Sequence, residues 1–238
     1  GIPAPVRPFL KEVGANPGNL KIAFFTKIED RVTHPDCIAA VEDAAKLCES
    51  LGHTVEEAAP MLDYGTLRRA FGLIVAGHTA AMLDLFGKFM GKKVTADMVE
   101  PWTWYLAQFG WKTTAAQFAG TKGIINRATR KVASFLTEYD VILTPTLAAP
   151  PPKLGHFDTV NIPMQELAKR HAEHNQFNWL YNVAGLPAMS VPLFWNAEGL
   201  PIGVQFAGRY ADEATLYRFA GQLEEARSWR EKIPLIAI

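Results

Sequence analysis

Two threonines spaced two apart, Thr144 and Thr146, close the apolar run in DVILTPT and can present hydroxyls at the mouth of a cleft. Residues i and i+2 of a strand share a face, and open α/β sheets place their crevices at strand ends. The alternative is that both hydroxyls bond to turn backbone. A hydroxyl nucleophile is harder to assign, because serine attacks only when a neighbouring base takes its proton. The chain has four serines, Ser50, Ser134, Ser190 and Ser228, none in a Gly-Ser-rich loop and no two adjacent. Ser190 falls in a short apolar run read as a buried strand, with no base that can be set beside it. His171 and His174 lie three apart and can share one helix face. A metal needs more ligands, and Glu166 and Glu173 give no known spacing, so a solvated face and no metal site are expected. His34 and His78 show no partner in the sequence. Trp102, Trp104 and Tyr105 cannot all face one way on a helix, so the cluster reads either as core or as the wall of a ligand site.

The elements that would position these groups follow from periodicity and punctuation. Residues 20–26 (LKIAFFT) read as a strand. Pro35 suits a first helical position and Asp36 complements the positive helix end; Ile38, Val41, Ala45, Cys48 and Leu51 keep one apolar face until Gly52. Residues 54–58 read as a second strand, so 20–58 form a βαβ unit with a parallel pair. The pattern is then helical to about Tyr139, with helices over 64–89, 95–109 and 114–138. In the last of these Phe118, Ile125, Val132 and Phe135 face inward, opposite Arg127, Arg130 and Lys131. After the strand at 140–143 comes a long Pro- and Gly-rich loop, 147–163, of a length that is commonly functional. One helix is expected to run on to Ala184 and to close at Gly185. A strand at 188–191 is stopped by Pro192, Asn196–Gly199 is a turn, and residues 202–206 are a further strand. Asp212 caps a last helix over 213–227, with Leu216, Phe219, Ala220 and Leu223 inward.

Composition narrows the function classes. Lys plus Arg equals Asp plus Glu at 24 each, and with no basic block or RNA-type motif a nucleic-acid partner is not expected. Hydrophobic content of 49% with 20% charged residues is that of a globular chain. The longest apolar run, 70–86, is interrupted by His78 and Asp84 and falls short of the roughly eighteen uninterrupted residues of a span, so no membrane is expected. Cys37 and Cys48, eleven apart on one helix, are too far apart to pair and read as buried thiols of a cytoplasmic protein. Residues 1–18, with Pro3, Pro5, Pro8 and Pro17, read as a linker.

The stretch 177–208 (FNWLYNVAGLPAMSVPLFWNAEGLPIGVQFAG) resembles the C-terminal end of amidase signature enzymes. Asn182, Gly185, Pro187, Pro192, Gly199, Pro201, Gly203 and Gln205 meet that family's pattern, and the strand at 20–26, residues 100–104 and the DVILTPT segment extend the likeness over nearly the whole chain. The resemblance implies an α/β fold in which a large mixed sheet is wrapped by helices. Residues 19–238 would then be the C-terminal part of a single amidase domain, with the N-terminal half absent. It implies hydrolysis of carbon–nitrogen bonds in small or linear amides, by a nucleophilic serine, a bridging serine and a lysine base, none of them in this chain. No cofactor is implied, and a homodimer is a common assembly of such enzymes.

On pattern alone residues 70–82 read as a buried core helix; by the same resemblance Val75 and Thr79 on it border an acyl-binding channel, and Thr144, Thr146 and Leu147 line the substrate entrance. Trp104 is the candidate from the aromatic cluster, and Asn175 stands near the substrate. Two other readings stay open. An amidase-like subunit of a glutamine-dependent tRNA amidotransferase would place an Asp near Asn182 for the substrate's ammonium; the corresponding Asn175 is neutral, and residues 102–108 offer no arginine for a carboxylate. A non-catalytic interaction domain derived from an amidase fits the serine census. The expected partners are thus a small-molecule amide and the enzyme's N-terminal half.

Overall fold

The computed structural model describes residues 3–232. It contains strands β1 (Lys21–Phe24), β2 (Thr54–Glu57), β3 (Val141–Pro145), β4 (Ala188–Trp195) and β5 (Pro201–Gly208). Its helices are α1 (Pro35–Ser50), α2 (Tyr64–Met90), α3 (Pro101–Lys112), α4 (Ala115–Phe135), α5 (Met164–His174), α6 (Asn178–Ala184) and α7 (Glu213–Ala226). The chain divides into two compact units, residues 1–60, 133–151 and 176–238 in the first, and 61–132 and 152–175 in the second.

The first unit holds a mixed sheet in the order β2-β1-β3-β5-β4. β1 runs parallel to both β2 and β3, as the βαβ reading requires, and β5 is antiparallel to β3 and β4. One sheet face carries Ile22, Val141, Leu143, Val191, Leu193, Val204 and Phe206 into a core with Cys37, Val41 and Ala44 of α1 and Leu216, Phe219 and Leu223 of α7. Each Val, Leu, Ile or Phe side chain among these contributes about 1.5–3 kcal/mol by leaving water. The caps are local. His34 accepts at Nδ1 from the Asp36 N–H at the start of α1, so this histidine does have a partner. Asp212 accepts from the Thr215 N–H at the start of α7. Gly185 closes α6 at φ 67°, where a side chain would be strained.

Four sequence expectations are corrected. The helix proposed for 95–109 starts at Pro101 instead, behind a separate turn at Ala96–Met98, because the extended Glu100 cannot continue a helix into proline. The helix running to Ala184 is broken at 175–177 into α5 and α6. β4 does not stop at Pro192: it lies at the sheet edge and slips register between Val191 and Phe194, where a missing N–H costs nothing. The stretch read as linker carries a turn at Phe9–Lys11, and buried Glu12 bonds both Arg7, at 2.7 Å, and Arg218, at 2.9 Å. These guanidinium groups, Arg7 foremost, hold the Glu12 carboxyl below its ordinary range.

In the second unit α2 and α3 pack closely. α2 is long and apolar enough, by length and composition, to cross a membrane; the count of uninterrupted apolar residues missed this. Met82, Leu85, Phe86, Phe89 and Met90 near its C-terminal end are exposed. Gly110 marks the helix contact, since a Cβ there would lie 2.6 Å from the Ala76 carbonyl carbon and 2.7 Å from Ala80 Cβ. An exposed helical Gly→Ala change stabilises by about 1 kcal/mol. Here Gly110→Ala is expected to destabilise by about 1–3 kcal/mol, read as a lower urea midpoint. A midpoint that rises would show that α2 and α3 do not approach so closely.

Candidate functional site

The pleat decides which side chains share the sheet face turned away from α1 and α7. With Leu143 paired to Phe206 on the core side, Thr144 stands opposite Gln205, and Ser190 opposite Gln205 on the other flank. Thr144 is fully buried and accepts from Gln205 Nε2 at 3.3 Å. Two residues on, Thr146 and Ser190 share a hydroxyl–hydroxyl bond of 2.7 Å, while the Thr146 N–H donates to the Gly203 carbonyl at 3.1 Å. Gly203 leaves room for the pair: a Cβ would come within 2.8 Å of Ser190 Oγ and 3.1 Å of Thr146 Oγ1, so the hydroxyls would have to move to admit one.

Beside this pair lies a cavity of about 210 Å³, lined among others by Cys37, Thr146, Leu147, Pro151, Ser190 and Ile202. The loop that follows is anchored by the His34 N–H, which donates to the Ala148 carbonyl at 2.8 Å. Burial, with Asp36 adding to it, pushes the Cys37 thiol up to about 12; burial does the same for Cys48. Both cysteines are unpaired and buried, as the sequence predicts.

The seven candidate residues divide between the units. In the first, Thr146 and Leu147 meet at the cavity, and Thr144 lies deeper on the same strand face, bonded to Gln205 rather than to turn backbone. In the second, Val75 and Thr79 sit one turn apart on α2, and the Thr79 hydroxyl donates to the Val75 carbonyl at 2.8 Å. Trp104 packs against Ala80, Leu83, Val94 and Ala107 and meets Trp111 edge-on at 5.3 Å. Asn175 is the exposed C-terminal cap of α5. Sequence reasoning missed Ser190 as a neighbour of Thr146. It read β4 as buried, whereas Ser190 is exposed on an edge strand. The signal available was the two-residue alternation of Thr144/Thr146 against Gly203/Gln205.

The histidines differ from expectation as well. His171 is stacked between Trp102 at 4.9 Å and Phe157 at 4.5 Å, and His174 meets Phe157 edge-on at 5.5 Å, so neither lies on a solvated face. Trp102 also stacks on Tyr105 at 5.5 Å, and His78 meets Phe118 edge-on at 6.0 Å. Among the described residues no group of three or more His, Cys, Asp or Glu is placed to hold a metal.

The amino-acid profile of the Amidase family matches residues 1–217. The chain belongs to the amidase family. Similar relatives are the 6-aminohexanoate-cyclic-dimer hydrolase of Pseudomonas sp. (strain NK87), 28% identical across 98% of this chain and 49% of that one, and the putative amidase AmiA2 of Mycobacterium tuberculosis (strain ATCC 25618 / H37Rv), 32% identical across 94% and 45%. A solved 6-aminohexanoate cyclic dimer hydrolase superposes with a TM-score of 0.80 at 25% identity, covering 96% of this chain and 49% of that one. The amidase chain thus spans about half the length of the relatives it matches.

Burial lowers the pKa of His171, and His156 adds to this; His174 is lowered by burial, then by His156 and His171. A histidine lowered in the folded state adds stability that is present above its unfolded pKa of about 6.5 and is lost as pH falls through the folded value. The melting temperature is therefore expected to drop between about pH 7.5 and pH 5, and to drop less in His171→Phe, which keeps the stack without the proton. Equal drops in the two proteins would contradict a proton-linked role for the stacked ring.

Proposed function

We propose that this chain forms one wall of an amidase reaction chamber, and that the assembled enzyme hydrolyses carbon–nitrogen bonds of small or linear amides in the cytoplasm. The observation that carries this is the family match over residues 1–217 in a chain that spans only half of its relatives. A nucleophilic serine, a bridging serine and a lysine base would then come from the half not contained here. Such a set makes chemical sense, because serine needs a base within reach and the tetrahedral oxyanion needs aimed donors. The chain's own four serines supply no such pair.

In this reading Thr146 and Leu147 of the first unit contribute to the substrate wall, with Thr144 bracing the strand behind; Val75, Thr79, Trp104 and Asn175 stay candidates within the second unit taken by itself. The exposed apolar end of α2 is surface that the companion half, or a second copy in a homodimer, would cover. A neutral Asn175 and the absence of arginine from 102–108 speak against glutamine as the amide.

The test is turnover of a chromogenic acyl anilide. This chain alone is expected to release no aniline above background, and the same chain joined to its companion half is expected to hydrolyse it. A rate from the isolated chain that Ser190→Ala abolishes would overturn the assignment of the nucleophile to the other half.

A further inference from the structure

Thr146 and Ser190 come from different strands and satisfy each other only in part. Two hydroxyls carry two protons, and the single 2.7 Å bond between them uses one. Whichever oxygen donates, the other keeps an O–H, and Ser190 is exposed. The Thr146 backbone N–H is already engaged by the Gly203 carbonyl. Gly203, whose missing side chain leaves room for both hydroxyls, keeps the pair open. An unused donor therefore stands at the edge of the cavity of about 210 Å³.

The rest of that lining is apolar or uncharged: Cys37, Leu147, Pro151 and Ile202 surround the pair, and no Lys, Arg, His, Asp or Glu is among the lining residues. Burial of the Cys37 thiol keeps it neutral as well. A carboxylate or ammonium placed there would be desolvated without a counter-ion, whereas a neutral carbonyl would find its donor. The volume suits a fragment of a few heavy atoms, since a water in the liquid takes about 30 Å³.

The geometry points to a specificity subsite in which the Thr146–Ser190 pair donates to a second, non-scissile carbonyl of the substrate, so that the enzyme selects amides with another amide in the acyl chain. This deepens the amidase reading and rests on it.

The test compares two anilides on the chain joined to its companion half. N-acetylglycine 4-nitroanilide carries the second amide; pentanoyl 4-nitroanilide replaces it with methylenes. Wild type is expected to favour the first. Ser190→Ala and Thr146→Val are expected to lose about three- to tenfold in kcat/KM on it alone, and Thr146→Ser to retain the preference. Variants that slow both substrates equally would overturn the subsite and leave a structural role for the pair.

Cleavage of neither anilide by wild type would count against the amidase reading. The subsite is then decided without turnover, by NMR titration of this chain with N-acetylglycinamide. Saturable shifts at Thr146, Leu147 and Ser190, weakened in Ser190→Ala, support it, and their absence overturns it.

Discussion

Leu143 opposite Phe206, and with it Thr144 opposite Gln205, is the pairing from which the rest of the first unit follows. Because side chains alternate strictly along a strand, this register sends Val141, Leu143, Val204 and Phe206 into the core with α1 and α7. The same register sends Thr144, Thr146, Gly203, Gln205 and Ser190 to the other face. A slip of one residue would turn the hydroxyls toward the aliphatic core of α1 and α7 and send Val141, Leu143, Val204 and Phe206 to the face that now holds Thr144 and Gln205. The apolar face fixes the register, and the register aligns the polar groups at no further cost. The Thr146–Ser190 bond is thus a consequence of packing on the far side of the sheet.

Most of this was legible in the sequence, for identifiable reasons. The βαβ unit announced itself through Pro35, the apolar face from Ile38 to Leu51 and Gly52. Asp212 and the Leu216–Phe219–Leu223 spacing did the same for α7, and Gly185 for the end of α6. Failures came where a local rule met tertiary context. Pro192 reads as a stop, yet at an edge with a register shift its absent N–H faces no partner strand. Pro101 falls inside the periodic run 95–109, yet it starts the helix. His171 and His174 look solvated because their neighbours in sequence are charged; in space both meet Phe157, from the loop before α5, and His171 also stacks on Trp102, 69 residues away. Ser190 was overlooked for the same reason, since its partner Thr146 is 44 residues away.

The chain belongs to the amidase family and spans about half the length of the relatives it matches. In the first unit one sheet face packs on α1 and α7, and the other buries Ala23, Ile142, Thr144 and Ala207; in the second unit the C-terminal end of α2 exposes apolar side chains. The Gly110 contact with Ala76 and the stacked Trp102–His171–Phe157 column brace the second unit internally.

The most direct measurement is sedimentation velocity of this chain mixed with its separately expressed companion half. The account predicts a one-to-one complex that forms from the two halves and shields Met82–Met90 of α2 from deuterium exchange. Two species that sediment independently, with that segment exchanging as it does in the chain alone, would contradict it.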